Sequence, residues 1–126
     1  MARTKPPKQR AAAGTLGKTL TRRSKGRCEL CDERIEVRVF ELAPFPEDPD
    51  PERAIMGCSR CRAWLEKGTI DPVEAHFLGG AVWSELPPVR LAAARMLLSH
   101  EDPDDPWMAE ALEVTNVDPE TLEFRA

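Results

Sequence analysis

A small α+β domain, with a knuckle, a β-hairpin and a helix in that order and a helical C-terminal half, is predicted by three features of the sequence. Two Cys-x-x-Cys pairs, Cys28/Cys31 and Cys58/Cys61, contain all four cysteines of the chain. Between them "IEVRVFEL" alternates apolar and polar residues with the period of a strand. Beyond them "PPVRLAAARMLLSH" spaces its apolar residues with the period of a helix. At 126 residues the chain has room for one domain with a tail, not for two full cores.

Residues 1–15 mix Pro, Gly, Ala and basic residues without a hydrophobic period, so a disordered basic tail is expected there. A short helix is expected from Leu16 to Arg23, because Leu16 and Leu20 share a face and Gly26 can stop it. Along the strand Ile35, Val37, Val39 and Glu41 point one way, and Glu36, Arg38, Phe40 and Leu42 the other. "APFPEDPDPER" has four prolines and must be a loop, leading to a second short strand at "AIMG". In "CSRCRAWLEKG" the second cysteine pair opens a helix that Gly68 ends. The knuckle, hairpin and helix therefore occupy 16–70.

Residues 71–126 form the helical extension packed on the same core. From Pro87 one face carries Val89, Ala92, Ala93, Met96, Leu97 and His100, with the prolines suited to the first turn. A helix from Trp107 to Val114 follows "EDPDDP". "VDPETLEF" is expected to make a last helical turn, with Asp118 as its N-cap and Pro119 in first position.

A two-residue gap lets both thiolates of a pair face one ion, and two pairs complete the tetrahedron that zinc prefers. Cys28, Cys31, Cys58 and Cys61 are thus candidate ligands of one structural Zn(2+) ion, with no coordination position left for water. Disulfides, a thiol-redox site and an iron cluster are the other uses of such cysteines; the redox use lacks its usual βαβ framework here. Arg27, Arg60, Arg62 and a helix start near Cys58 would favour the thiolate forms.

The net charge of −4 conceals a division: residues 1–27 carry nine Lys or Arg and no acid, while the remainder carries nine basic and 22 acidic residues, so +9 faces −13. A basic arm of this kind suits nucleic acid or another acidic partner, with Arg22, Arg23, Lys25 and Arg27 as candidate contacts. A solvated leader is the plainer alternative, since the arm has no aromatic on which a base could stack. No run approaches the roughly 20 apolar residues of a membrane span, and no apolar stretch follows the first basic residues as in an export signal. A cytoplasmic setting without membrane contact is expected, and with no catalytic cluster in view no small-molecule substrate is expected either.

"RSKGRCELC", "GCSRC", a His, "VWSELPPV", "AARMLLS", a Trp and "VDPETLEF" follow in an order that resembles the zinc-ribbon N-terminal region of the PhnA-like family, named for the phosphonate-utilisation operon. The resemblance runs from about Leu20 to Phe124. The order knuckle, hairpin, helix is by itself the treble-clef plan; the resemblance implies that the four cysteines bind metal in a zinc-ribbon-like fold, and that His76, Trp83, Ser84, Glu85, Pro87, Val89, Arg95, Met96, Leu97 and Trp107 occupy recurrent positions. Where relatives carry a polar stretch ending in W-S-E, this chain reads the shorter "HFLGGAVWSE", and it stops at Ala126 without their β-rich second domain.

The predicted function is that of a non-enzymatic interaction module. Its rivals are a degenerate His-metal-finger nuclease and a docking adaptor linked to phosphonate metabolism. The nuclease needs histidines near the hairpin and on the following helix, and the chain has only His76 and His100. The adaptor would use an apolar surface around Phe77, Leu78, Val82 and Trp83, although the plainer expectation is that Trp83 anchors the Pro87 helix to the core. His76 could support the metal ligands from behind or simply pack beside the helix.

Overall fold

The computed structural model describes residues 14–100 and 106–125. Of the tail expected over 1–15, residues 1–13 lie outside the described residues, and Gly14 and Thr15 open the first helix. Helix α1 (Gly14–Ser24) ends where Lys25 and Gly26 both take positive φ, 58° and 75°, a conformation that glycine adopts without steric cost. Leu16 and Leu20 are buried against Ala54 and Met56, so α1 lies on one face of the hairpin.

That hairpin pairs β1 (Arg38–Glu41) antiparallel with β2 (Ala54–Gly57), Arg38 opposite Gly57 and Glu41 opposite Ala54. The pleat divides most of its side chains as the alternation predicts: Val39 packs toward α1, while Phe40, Leu42 and Ile55 enter the main core, and Val37, just before β1, touches both clusters. The first strand is shorter than the alternating run. Ile35 is 63% exposed and Glu36 has φ 47°. Their carbonyls are taken by the next helix instead of a ladder, Ile35 O by Ser59 N and Glu36 O by Arg62 Nη2 at 2.7 Å.

Helix α2 (Ser59–Lys67) is closed by Gly68 in the left-handed region, φ 68°, whose N–H donates to Trp64 O. A 3₁₀ turn (Glu74–Phe77) and the single turn α3 (Leu78–Ala81) lead to α4 (Pro87–Ser99). The face predicted for α4 is too narrow. Pro88, Val89, Leu91 to Ala94 and Met96 to Leu98 are all buried, because β2 and α2 pack on α4 together with α3 and α5 (Pro106–Thr115). Trp83 does not anchor this helix; its side chain is 71% exposed.

"VDPETLEF" forms no helical turn. It makes a small hairpin, β3 (Val117–Asp118) antiparallel to β4 (Glu123–Phe124). Asp118 Oδ1 does accept Glu120 N at 2.8 Å, as an N-cap would, but Leu122 at φ 60° turns the chain back. Glu123 then reaches across the molecule. Its carboxylate receives two bonds from Arg53, at 2.9 and 3.0 Å, and one from Arg95 at 3.1 Å. Burial disfavours the charged form of Arg95 and lowers its pKa, and Glu123 opposes that shift. Glu123→Ala is expected to cost about 2 kcal/mol in urea unfolding by leaving two guanidinium groups without this acceptor; an unchanged midpoint would show that the bridge contributes nothing.

The described residues thus form a small α+β structure with two short antiparallel sheets and five α-helices. The main apolar cluster runs from Cys28 and Leu30 through the hairpin and α4 to Val117. None of the described helices is long and apolar enough to cross a membrane.

Candidate metal centre

The first knuckle is built by backbone bonds that fold "CELCDE" on itself. Asp32 N donates to Cys28 O at 2.9 Å and Cys28 N to Glu33 O at 2.8 Å, with Asp32 at φ 71° closing the turn. Glu29, between the cysteines, fastens this turn to the hairpin: its N–H donates to Met56 O and its Oε1 accepts Met56 N, both at 2.8 Å. The second knuckle is the start of α2. Cys58 is the N-cap, and its Sγ accepts Cys61 N at 3.5 Å. Gly57 fits closely before it, because a Cβ at that position would lie 3.1 Å from Arg62 Cγ.

These two turns bring all four sulfurs within 4.8 Å of one another, and Cys31 Sγ lies 3.6 Å from Cys58 Sγ. Four sulfurs at about 2.3 Å from a central ion would be about 3.8 Å apart, so the spacing suits a tetrahedral thiolate site. All four cysteines are free. Cys28, Cys58 and Cys61 are buried and Cys31 is half-buried.

As thiols alone Cys28, Cys31 and Cys61 pull one another's protonation apart. A hydrogen bond from Cys61 holds the Cys28 thiol down to about 4, against the opposing effect of burial. Burial pushes Cys31 up to about 11. Cys61 is pushed far above the usual thiol range, first by that same bond to Cys28 and then by burial. A bound cation removes this competition by stabilising all four thiolates together. The donor set therefore fits one thiophilic metal ion. Arg60 adds positive charge beside it: burial opposes its charge, but contact with Cys31 and the field of the other cysteines raises its pKa overall. Its guanidinium carbon stands 5.2 Å from the Trp64 ring centroid and 5.1 Å from that of Phe77, and Nη1 lies 3.8 Å from Glu74.

The other candidate residues are placed apart from this centre or in other roles. His76 is exposed and stacks on Trp107, ring centroids 4.9 Å apart, and the cysteine cluster gathers no histidine among the described residues. His100 caps the end of α4. Arg22 and Lys25 are exposed, and Arg27 pairs with Asp32 at 3.3 Å. Arg23 turns inward. It meets Glu29 through two bonds of 2.8 Å and donates to Pro51 O and Ala54 O at 2.9 Å, so it belongs to the core of the hairpin junction. Of the proposed apolar docking surface, Leu78 and Val82 are buried and Phe77 stacks on Trp64, which leaves Trp83 as its exposed member.

Glu29 is the residue that sequence reasoning missed, a side chain only 3% exposed that joins α1, the first knuckle and β2. Its one sequence signal is a carboxylate placed between two metal-ligand cysteines, where solvent would be the usual expectation. Comparison of the chain with family models, with curated proteins and with solved structures finds no match in any of the three.

Proposed function

We propose that the chain is a non-enzymatic structural-zinc module of treble-clef type, related to the PhnA-like proteins, which meets an anionic partner through its basic N-terminal part. The zinc reading is carried by one observation, the closure of four mostly buried cysteine sulfurs within 4.8 Å. Four sulfur donors satisfy a tetrahedral zinc ion and leave no position for a substrate or an activated water. The order knuckle, hairpin, helix supports the treble-clef assignment, and the motif order "RCELC", "GCSRC", "VWSELPPV" supports the family. Native mass spectrometry of the purified protein with metal analysis is expected to find one zinc per chain; iron or no metal would overturn the assignment.

The partner reading is supported by the exposed face of α1. Lys18 and Arg22 lie four residues apart on it, and Lys25 follows at its end. Nucleic acid is the partner that the charge pattern fits best. Deleting residues 1–27 is a poor test, because it also removes Leu16, Leu20 and Arg23 from the hairpin. Charge reversal at exposed positions is cleaner. The double variant Arg22→Glu, Lys25→Glu is expected to weaken binding to DNA or RNA about tenfold or more at low salt, and to flatten the salt dependence; equal affinity in a mobility-shift titration would refute the assigned face.

A further inference from the structure

The four thiolates of the proposed zinc site are unequally protected. Cys28, Cys58 and Cys61 are 2%, 3% and 0% exposed, whereas Cys31 is half-buried. Cys31 and Cys28 both line an open cleft of about 430 Å³, together with Leu30, Asp32, Phe77 and Ala81, but of these two cysteines only Cys31 is more than marginally exposed. The cleft and the partial exposure of Cys31 give a small neutral oxidant a route toward that residue that the other three cysteines, nearly fully covered, do not offer. Directly behind Cys31 is a second thiolate from the other knuckle, Cys58, with its sulfur 3.6 Å away.

We propose that Cys31 is a peroxide-modification site, and that its oxidation closes a Cys31–Cys58 disulfide and expels the metal. This rests on the zinc reading above. A zinc ion held by Cys28, Cys31, Cys58 and Cys61 would supply both sulfurs in the thiolate form, which is the nucleophile. The Cys31 thiolate attacks one oxygen of hydrogen peroxide, the O–O bond breaks and hydroxide leaves, giving a sulfenic acid. Cys58 thiolate then attacks the Cys31 sulfur, the S–O bond breaks and a second hydroxide departs. The two sulfurs together lose two electrons and the peroxide gains them. The new bond, about 2.05 Å long, removes one ligand from each knuckle, and the two remaining thiolates hold zinc far less well.

The test uses the full zinc-loaded chain, hydrogen peroxide and an excess of a chromogenic zinc chelator, followed by tryptic peptide mapping. Cys28 and Cys31 share the peptide of residues 28–34, Cys58 lies in 54–60 and Cys61 in 61–62, so the linked pair is identified by fragmentation. Release of one zinc per chain with a Cys31–Cys58 bond, reversed by a thiol reductant and added zinc, is expected. Zinc retained through millimolar peroxide, or a bond within one knuckle, overturns the proposal. Cys31→His keeps a Cys3His site suited to zinc and is expected to slow peroxide-driven release about tenfold; release at the original rate also overturns it. If that variant does not fold, mapping of the unmodified chain decides. A chain purified without zinc defeats the metal reading itself, whereas a zinc-loaded chain that resists peroxide defeats this inference alone.

Discussion

Stripping the metal with a strong chelator, or replacing Cys61 by Ser, is expected to unfold the protein and not merely to soften it. Cys61 is fully buried and belongs to the same apolar cluster as Leu30, Phe40, Ile55 and the residues of α4. Apparent zinc binding of about 10–16 kcal/mol at neutral pH in small zinc domains equals or exceeds the roughly 5–15 kcal/mol by which a domain is usually stable. Without the ion the knuckles must also hold four sulfurs together against burial and proton competition. Circular dichroism should therefore show loss of the cooperative melt, and amide exchange should become fast in β1, β2 and α2. An apoprotein that melts at the same temperature as the loaded one would reject the structural role of the metal.

The second large effect concerns Arg23 and Glu29. Their side chains are 16% and 3% exposed, and the pair is bidentate. Removing one member leaves the other charged and buried, for which about 3–5 kcal/mol is the usual cost. Arg23→Ala also strips a donor from Pro51 O and Ala54 O, and Glu29→Ala strips the acceptor from Met56 N. Either variant is expected to lower the urea midpoint far more than Arg22→Ala on the exposed side of the same helix. The double variant Arg23→Met, Glu29→Leu should recover part of the loss, since no charge remains unpaired. Equal midpoints for Arg22→Ala and Arg23→Ala would show that the inward pair has no special role.

Elements with local signals were legible in the sequence. Gly26 and Gly68 marked helix ends, "AIMG" marked β2, and the second cysteine pair marked the start of α2. The cysteine spacing likewise pointed to a single shared centre. What stayed hidden was non-local. "VDPE" carries the same Asp side-chain bond in a tight turn as at a helix start, and a carboxylate captured by Arg53 from 70 residues away helps hold the hairpin form. Periodicity identified one face of α4, but a helix surrounded on nearly every side has no polar face to identify; its run "LAAARMLL", broken only by Arg95, was the better signal. Arg23 sat within a basic run where charge density suggests solvent. Only the folded knuckle places Glu29 opposite it.

The Arg23–Glu29 junction also constrains how the chain can diverge. Neither residue can be exchanged alone without stranding a charge in the junction between α1, the knuckle and β2, so descent should pass through paired changes. In any set of homologous chains, loss of the carboxylate at position 29 should coincide with loss of the arginine at 23. The neighbouring Arg22 and Lys25, free of that bond, should drift independently of it.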